Sequence, residues 1–333
     1  GGALGWVARR LGGPQTDVPI AAPATPARVP TRAPFPDVPG LSPEVTSVDD
    51  HYVVDVNLLA PSVEAADWRL RVYGAVDRPL EPSFDELQRD FEVVEDFSVL
   101  TCISNEVGGD LVGHSAWRGV RVADVLARAG VRSDAVDVVF RSVDGYSDSI
   151  PIEVARNPSV LLAFGQNGRA LTQEHGFPCR VRIPPIYGMK NVKWLQSIEV
   201  VASDHLGYWQ RRGWSDDAVV RTSCRIDAIG DGRSARAGEA TWVAGVAWAG
   251  DRGVDAVEVS TDGGRTWTRA ELKEPVARAS WRLWAYRWTP DAPGPAQIVC
   301  RAVDGRGARQ TAAVAPPHPD GATGYHRVEV EVA

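Results

Sequence analysis

The residue best suited to bonding a soft metal is a cysteine that follows an apolar stretch. Residues 97–100 predict a strand, and Cys102 comes just after it, followed by Ser104, Asn105 and paired glycines. A thiol at a strand end is placed to face a pocket, where its thiolate would act as a metal ligand or as a nucleophile. Most single cysteines are inert core residues, so the residues alone leave all three interpretations open.

The strongest concentration of positive charge lies in residues 175–198. This window has no acidic residue and four basic ones, Arg180, Arg182, Lys190 and Lys193, in a chain of formal net charge −7. Arginine offers paired donors to a phosphate group, and lysine offers a mobile point charge. Gly188 lets a bound group approach the backbone. A solvated basic strand face is the alternative, but the neighbouring prolines and aromatic residues favour a rigid wall that binds a phosphate-bearing cofactor.

Composition excludes several classes of protein. The 333 residues include 36 lysines and arginines against 43 aspartates and glutamates, which argues against nucleic-acid binding by general attraction to phosphates. Four cysteines without a C-x-x-C pair exclude a disulfide scaffold and a zinc knuckle. No apolar run reaches the roughly 18 residues of a membrane span. Zincin, Walker, nucleophile-elbow and dinucleotide motifs are also absent, which leaves a soluble globular protein.

Three segments of the chain follow different patterns. Residues 1–44 predict an arm or tether, because nine prolines fall within thirty of these residues and no apolar period accompanies them. Residues 45–215 mix helix and strand signals and predict an α+β domain. Residues 216–333 contain only short alternating runs between turn motifs, which predicts an all-β, immunoglobulin-like sandwich.

Local signals place a few elements of the α+β segment. Ser83 begins a capping box that Glu86 completes, so a short helix is expected there. Residues 120–129 predict an amphipathic helix that ends at Gly130. Residues 192–201 predict a strand with alternate side chains directed inward.

The two windows and the strands that follow them resemble the sulfite oxidase family of molybdopterin-dependent oxidoreductases, over about residues 52–330. The elements that carry the resemblance are Cys102-x-x-Asn105, Ser149-Ile150-Pro151, His175-Gly-Phe-Pro-x-Arg180, Gly188-x-x-x-Val192-Lys193-Trp194, Trp209-Gln-Arg-Arg212, Asp262-Gly-Gly-Arg-Thr-Trp267 and Tyr325-His326-Arg327-Val328. The resemblance implies a sulfite-oxidase-type molybdopterin-binding domain followed by the β-sandwich. It is most similar to a bacterial membrane-associated branch, in which helices precede the catalytic part.

The resemblance also implies which residues hold the cofactor. Cys102 matches the single protein ligand of molybdenum, since the pterin dithiolene supplies two further soft sulfurs. The remaining cofactor contacts are expected at Asp55, Asn57, Ser104, Asn105, Asp144, His175, Arg180, Gly188, Lys190, Asn191, Val192 and Lys193. The window found from charge alone is therefore the one that the family uses for its anionic cofactor.

The chain departs from the family where sulfite would bind. Glu106 and Val107 stand where the family has an arginine pair after the cysteine, and Asp55 replaces another arginine. Carboxylates in a low-dielectric site repel a dianion, so sulfite is not the expected substrate.

Four residues are expected to act on the substrate beside Cys102. Trp214 occupies the position of an active-site tyrosine, and Arg327 retains one distal arginine of the family. Glu106 and His114 are expected to form walls of the substrate pocket together with Trp214. A surface histidine, a solvated carboxylate and a core tryptophan are the alternatives for these three wall residues.

The expected reaction is two-electron oxygen-atom transfer on a small neutral or cationic substrate, or the reduction of an S- or N-oxide by the same fold. Because no haem or Fe–S motif occurs, a redox partner is expected, either a cytochrome or a quinone-linked membrane protein. The family's C-terminal domain implies a homodimer. The short opening apolar stretch and the tether favour a chain anchored on the extracytoplasmic face of a membrane.

Two functions of other classes stay open from the sequence. Cys102 activated by His114 would make a cysteine hydrolase, although no oxyanion-hole motif is apparent. The sandwich would alternatively be a binding module, with the first domain as its scaffold. Cys179, Cys224 and Cys300 are expected to be inert, and a Cys224–Cys300 bridge is left open.

Overall fold

The computed structural model of the chain describes residues 7–9, 16–29, 34–57, 59–230 and 234–333. We call the part up to residue 215 the first half and the part from residue 216 the second half. The elements of the first half are β1 (Val7–Arg9), β2 (Val53–Asp55), β3 (Arg71–Gly74), α1 (Phe84–Asp90), β4 (Val93–Thr101), β5 (Val112–Arg121), α2 (Val122–Ala129), β6 (Asp137–Ser142), β7 (Ser147–Pro151), α3 (Ile152–Ala155), β8 (Leu161–Gln166), β9 (Arg169–Ala170), β10 (Arg180–Arg182) and β11 (Leu195–Val201). Two single-turn 3₁₀ helices, Gly188–Lys190 and Gln210–Arg212, lie on either side of β11.

The first half is built on one five-stranded sheet and one four-stranded sheet. One has the order β10-β8-β5-β4 and is antiparallel throughout, with β9 paired to β8. The other has the order β3-β11-β6-β7, in which β3 runs parallel to β11. A shared apolar core that includes Trp117, Phe140, Phe164 and Leu195 stabilises both sheets. Strands outnumber helices in the described residues, so the first half is mostly β rather than an even α+β mixture.

The two predicted helices of the first half are confirmed. The Ser83 hydroxyl accepts from the Glu86 amide at 3.2 Å, and the Glu86 carboxylate accepts from the Ser83 amide at 2.9 Å, so the capping box is complete. The helix α2 buries Val122, Val125, Leu126 and Ala129 and ends at Gly130, whose φ is 71°. The helices of the described residues do not combine the length and apolarity that crossing a bilayer requires.

The strand expected over residues 192–201 begins only at Leu195. The 3₁₀ turn at Gly188–Lys190 precedes it, and Trp194 has a left-handed backbone with φ of 48°. These two features interrupt the extended chain, so residues 191–194 form a bend instead of a strand. This bend is the part that faces the cavity described below.

The second half contains β12 (Ser223–Ile229), β13 (Ser234–Ala235), β14 (Thr241–Trp248), β15 (Val254–Ser260), β16 (Thr268–Arg269), β17 (Glu271–Leu272), β18 (Arg282–Trp288), β19 (Gly294–Asp304) and β20 (His326–Val332). They form one sheet of order β12-β14-β18-β17 and another of order β13-β20-β19-β15-β16. All neighbours are antiparallel except β13 and β20. A common core holds the two sheets together, and the alternating runs predicted from the sequence are all strands.

All four cysteines are buried and carry free thiols. Cys224 on β12 lies beside Cys300 on β19, and burial and then this neighbouring thiol raise the pKa of Cys224. The Cys224–Cys300 bridge that the sequence left open is therefore not formed. Cys179 is fully buried behind β10 and contributes to the core of the first half.

The described parts of the proline-rich segment lie against both halves. The Ala24 amide donates to the Val93 carbonyl at 3.0 Å, at the beginning of β4. Further along, the Glu44 carboxylate pairs with Lys273 of the second half at 2.8 Å. The segment thus contacts the sheet that ends near Cys102 as well as the following sheets.

Candidate functional site

A cavity of about 120 Å³ lies where β2, the end of β4 and the bend before β11 converge. Its lining residues come from five stretches of chain: Tyr52, Val53, Val54, Asp55 and Val56; Leu100, Cys102, Ile103 and Ser104; Ser142, Asp144 and Tyr146; His175, Arg180, Gly188, Met189, Asn191, Val192, Lys193 and Trp194; and Trp209 and Trp214. The fold thus brings the cysteine and part of the basic window, which are far apart in sequence, onto one concave surface.

Cys102 sits one residue beyond β4 and is held there by its backbone. Its amide donates to the Leu111 carbonyl at 2.9 Å, which continues the β4–β5 ladder past the last strand residue. Its Sγ lies 2.9 Å from the Ser104 hydroxyl, and the residue is 8% exposed. Burial raises the pKa of the thiol. A buried thiol of this kind becomes a thiolate readily when a metal cation bonds it.

Arg180 is a buried cation that lacks an anionic partner. Its Nη1 and Nη2 donate to the His175 and Asn191 carbonyls at 3.0 and 3.3 Å, while Nε has no partner. The ion pairs found among the described residues do not include Arg180. Burial lowers the pKa of the guanidinium to about 10. Since a buried charge without a counter-ion is unfavourable, an anion in the cavity would stabilise this arrangement.

Lys193 is the second cation on the cavity wall, and it is already paired. Its ammonium contacts the Asp55 carboxylate and donates to the Glu174 carbonyl at 2.7 Å. Burial lowers the pKa of Lys193 to about 8, although Asp55 opposes this shift. Its positive charge is therefore compensated in part before any ligand binds.

Asp144 lines the cavity, and Asn57, which is exposed and does not line it, contacts Asp144. Asn57 Nδ2 donates to Asp144 Oδ2 at 2.9 Å, and the other carboxylate oxygen accepts from the Tyr146 amide at 2.9 Å. His175 is neutral, because burial and the nearby cations lower its pKa to about 3. Its Nε2 faces the Val48 carbonyl at 3.1 Å, so the ring holds the segment that leads into β2.

Gly188 brings the basic bend close to β2. A Cβ at this position would lie 2.9 Å from Tyr52 Oη, so a larger residue would push the bend away. Asn191 holds the same bend from behind: its Oδ1 accepts from the Ile183 amide at 2.7 Å, and its Nδ2 donates to the Tyr187 carbonyl at 3.0 Å. Val192 completes the apolar part of this wall.

The two remaining cations of the basic window point elsewhere. Arg182 Nη2 donates to Ser98 Oγ and the Val99 carbonyl at 2.8 and 3.1 Å, inside the sheet that carries β4. Lys190 contacts Asp148 and Asp216 at 3.0 and 2.9 Å. Neither residue lines the cavity. The cofactor contact expected for Lys190 therefore does not match the position of its side chain. Arg182 shares a face of β10 with Arg180 but lies farther along the strand, beside Ser98, and the 3₁₀ turn directs Lys190 toward Asp148.

Three of the expected catalytic residues do not reach the cavity. His114 lies on β5 opposite Val99 and contacts the Glu44 carbonyl and, at 2.9 Å, Ser280 Oγ. Glu106 lies in a separate small cleft toward the second half. Arg327 is on β20 and donates to the Gly263 carbonyl at 3.1 Å. The loop between β4 and β5 directs Glu106 away from the cavity, and the strand β20 directs Arg327 away from it. His114 is kept away by its place on β5.

Asn105 also acts outside the cavity. Its Oδ1 accepts from the Leu111 amide at 2.9 Å, which closes the loop between β4 and β5. By contrast Ser104, Asp55 and Trp214 line the cavity as expected. The sequence interpretation missed Tyr52, Tyr146 and Trp209, and the only signal for them was aromatic character next to the expected motifs.

The lining residues fit a molybdopterin group. A soft thiol, a buried guanidinium and a glycine-opened bend match a metal, an anionic group and a close backbone approach. Two buried donors of the lining, Arg180 Nε and Trp214 Nε1, have no partner in the structure, and such donors are expected to bind a ligand. Among the described residues no three His, Cys, Asp or Glu side chains cluster as a metal site, so a metal here depends on Cys102 and on its own carrier.

The comparisons with known proteins agree with this site. Residues 57–209 match the family model of the oxidoreductase molybdopterin binding domain, and residues 226–332 match that of the Mo-co oxidoreductase dimerisation domain. Mitochondrial sulfite oxidase of Mus musculus is 32% identical over 96% of this chain and 68% of that protein. The uncharacterized oxidoreductase YuiH of Bacillus subtilis is 35% identical over 44% of this chain and 72% of that protein.

A solved structure shares the fold. The sulfane dehydrogenase SoxCD from Paracoccus pantotrophus superposes with a TM-score of 0.75 at 21% identity, over 89% of this chain and 82% of that one. The two family models and the relatives name the same kind of cofactor that the chemistry of the cavity fits. The chain therefore belongs to the sulfite oxidase family of molybdopterin oxidoreductases and takes a molybdenum cofactor.

Proposed function

We propose that this chain catalyses two-electron oxygen-atom transfer on a small neutral or cationic substrate, and that sulfite is not that substrate. One observation carries the proposal: of the two cations on the cavity wall, Lys193 contacts Asp55, whereas no carboxylate of the described residues forms an ion pair with Arg180. Arg180 is suited to the anionic cofactor itself. A dianionic substrate would then meet Asp144 and aromatic rings rather than positive charge.

The lining residues divide into two groups by chemistry. Cys102 would be the protein ligand of the metal, with Ser104 as a hydrogen-bond partner of its sulfur. Arg180 and Lys193 would hold the anionic part of the cofactor, and Gly188 lets it approach the bend. The bound molybdenum group supplies two-electron redox chemistry and the transfer of one oxygen atom.

The aromatic residues would form the substrate wall and exclude water. Trp209 and Trp214 pack edge to face, with ring centroids 6.3 Å apart, and Trp214 also meets the His318 ring at 5.0 Å. Flat apolar surfaces of this kind suit a neutral molecule or a cation. A reductase acting on S- or N-oxides would use the same wall in the opposite direction. The cysteine hydrolase is not favoured, because burial raises the pKa of Cys102 and His114 lies elsewhere.

Several features of the whole protein belong to the same proposal. The functional boundaries are residues 45–215 for the catalytic domain and 216–333 for an immunoglobulin-like sandwich, supported by the two sheets of the second half. The match of residues 226–332 to a dimerisation domain supports a homodimer. Light scattering on the purified protein would measure its mass, and a monomer at micromolar concentration would contradict the dimer.

The proposal also includes a redox partner and a location. Oxygen-atom transfer leaves two electrons that a redox partner must accept or supply, and we assign this role to a cytochrome or a quinone-linked membrane protein. The proline-rich composition of residues 14–43 supports a tether of the bacterial membrane-associated branch and a site on the extracytoplasmic face. Fractionation of cells that express the full natural protein would test this location.

The deciding experiment is metal and pterin analysis of protein from cofactor-competent cells, followed by a substrate screen. We expect about one molybdenum per chain, turnover with S- or N-oxides, and little turnover with sulfite. Cys102→Ser should abolish turnover and remove one sulfur from the X-ray absorption spectrum of the metal. Cys179→Ala, which alters a buried thiol outside the cavity, is the matched control. An unchanged metal spectrum in Cys102→Ser, or preferred turnover of sulfite, would contradict the proposal.

A further inference from the structure

A continuous chain of polar contacts connects the cavity with solvent. Tyr146, which lines the cavity, donates from Oη to Asp148 Oδ2 at 3.2 Å. Asp148 Oδ1 accepts from Lys190 Nζ at 3.0 Å, and the same ammonium donates to Asp216 Oδ1 at 2.9 Å. The side chain of Asp216 is 47% exposed, whereas those of Asp148 and Lys190 are 0% and 2% exposed. Three contacts therefore lead from the cavity to bulk water.

Fold stability alone does not account for these polar contacts between the cavity and solvent. A buried ion pair such as Asp148–Lys190 is often no more stable than apolar residues of similar size, because both charges lose their hydration. The pair is nevertheless held by further hydrogen bonds: Asp148 Oδ1 accepts from the Ser149 amide at 2.9 Å, and Lys190 donates to the Ser149 carbonyl at 2.8 Å. Neither residue lines the cavity itself. A role in moving charge explains why ionisable groups occupy these positions.

A second observation concerns the protonation of Asp148. A Cβ on Gly207 would lie 2.7 Å from Asp148 Oδ1 and 2.6 Å from Gln210 Oε1, so the carboxylate and the amide oxygen flank the same glycine. Gln210 Oε1 is buried and has no hydrogen-bond partner. Two acceptor oxygens close to one buried position favour the protonated carboxyl of Asp148 over its carboxylate. Burial also raises the pKa of Asp148, against the opposing effect of Lys190.

We propose that Tyr146, Asp148, Lys190 and Asp216 form a proton relay between the cavity and solvent. The proposal rests on the oxygen-atom transfer proposed above. When the substrate, written Sub, gains an oxygen atom from water, the reaction is Sub + H₂O → SubO + 2H⁺ + 2e⁻. The electrons leave to a one-electron redox partner, and the two protons leave along the relay. Reduction of an oxide runs the same steps in reverse.

Each transfer returns the relay to its starting state. Tyr146 passes its phenolic proton to Asp148 and receives another at Oη from the cavity. Lys190 passes a proton to Asp216 and then takes the one on Asp148, while Asp216 releases its proton to water. Between transfers the Tyr146 hydroxyl is held by the Met189 carbonyl at 2.7 Å. Tyr146 is the catalytic member at the cavity, and the other three act through it.

The test compares Asp216→Asn with Asp217→Asn, which removes the adjacent exposed carboxylate. Proton release is followed with a pH-indicator dye in stopped flow after a single oxidation or reduction of the loaded full chain, with molybdenum content measured for each variant. We expect Asp216→Asn to slow proton release and kcat about 10-fold at unchanged KM, with a larger solvent isotope effect. Imidazole or formate in solution should restore the rate, because the missing group lies at the surface. Asp217→Asn should match the parent.

Two further variants distinguish a relay from a structural contact. Tyr146→Phe keeps the ring and removes Oη, so we expect a loss of about 100-fold in kcat that small acids do not restore. Asp216→Glu keeps a carboxylate and should retain most of the rate.

Proton release at the parental rate in both Asp216→Asn and Tyr146→Phe would overturn the relay, and so would an Asp216→Glu variant as slow as Asp216→Asn. A parent chain that binds no molybdenum or has no oxygen-transfer turnover would instead refute the proposed function.

Discussion

The region around the cavity and the second half differ in how their buried polar side chains are satisfied. In the second half the buried carboxylates of Asp227 and Asp304 each contact an arginine, Arg225 or Arg252. Around the cavity Arg180 is buried without an ion pair. Among the described residues, all buried polar side-chain atoms without a partner lie in the first half except Trp284 Nε1.

This difference indicates which region was built for a ligand. A region that only has to fold satisfies its buried polar groups internally, because each unsatisfied one costs about 1–3 kcal/mol. Unsatisfied donors persist where a bound group completes them. The unpaired Nε of Arg180 and Nε1 of Trp214 belong to residues that line the cavity, where a bound group would satisfy them.

The largest expected effect breaks the comparison on the second-half side. Arg252→Met leaves the Asp304 carboxylate buried without the arginine that contacts it at 2.8 Å, so we expect a loss of about 3–5 kcal/mol in the free energy of unfolding. Urea denaturation of the cofactor-free chain would measure this loss. Arg278→Met, in which a more exposed arginine is changed, is the control. A loss under 1 kcal/mol for Arg252→Met would show that the pairing in the second half carries little stability.

The matching change on the cavity side is Arg180→Met. The change leaves the His175 and Asn191 carbonyls without this donor but also removes an unpaired buried charge, so we expect the cofactor-free chain to lose about 1–2 kcal/mol, less than Arg252→Met. The cofactor should suffer instead: loss of charge-assisted hydrogen bonds worth about 1.5–3 kcal/mol corresponds to an affinity 10- to 100-fold lower. Molybdenum content and pterin fluorescence at matched expression would measure it. If the variant unfolds like Arg252→Met but loads normally, Arg180 is structural and the comparison fails.

Sequence reasoning pointed to this region from residue types, and the resemblance to a family then supplied its expected chemistry. A strand-end cysteine and an acid-free basic window are visible without any fold, and short-range signals such as the Ser83 capping box predicted α1 correctly. The alternating runs of the second half were equally readable. These successes share one cause: each depends on residues that are close together in the chain.

The failures depend on contacts between distant residues. Arg180 and Lys190 could not be told apart by charge, because the Asp148 and Asp216 carboxylates that draw Lys190 away come from other segments. His114 was expected near Cys102 from its spacing, but the β4–β5 register places it opposite Val99 instead. The parallel pairing of β3 with β11 joins residues more than a hundred positions apart, and local patterns do not encode it.

The next prediction concerns the pH dependence of stability and of cofactor affinity, which we expect to arise from Lys193 at the cavity. Burial lowers the pKa of Lys193 to about 8 from an ordinary value of 10.5. The unfolded chain therefore binds more protons between those values, so the stability of the cofactor-free protein should rise with pH across this window, by up to about 1.4 kcal/mol per pH unit. The anionic cofactor needs the charged ammonium, so its affinity should fall up to tenfold per pH unit above 8.

Lys193→Met provides the control for this prediction. It should flatten the stability profile between pH 8 and 10, measured by urea denaturation at each pH, and it should remove the pH dependence of cofactor loading. Arg252→Met should leave the slope as it is, because it changes only the second half. A slope that persists in Lys193→Met would assign the effect to another group.

The smallest expected effect concerns the two kinds of buried thiol. The Cys102 Sγ lies 2.9 Å from the Ser104 hydroxyl. This contact lowers the pKa of the thiol, against the larger effect of burial, which raises it. Cys224 lies by contrast beside another thiol in the second half, which raises its pKa. Removing the hydroxyl in Ser104→Ala should therefore make the Cys102 thiolate scarcer, and alkylation of the cofactor-free chain by iodoacetamide about 2- to 10-fold slower.

Mass spectrometry of the labelled peptides would resolve Cys102 from the other three cysteines, and Ser98→Ala, which changes a buried serine that hydrogen-bonds Arg182 instead, is the control. Equal labelling rates in Ser104→Ala and the parent would mean that burial alone sets the reactivity of Cys102, and that the cavity prepares its thiol no better than the core of the second half does.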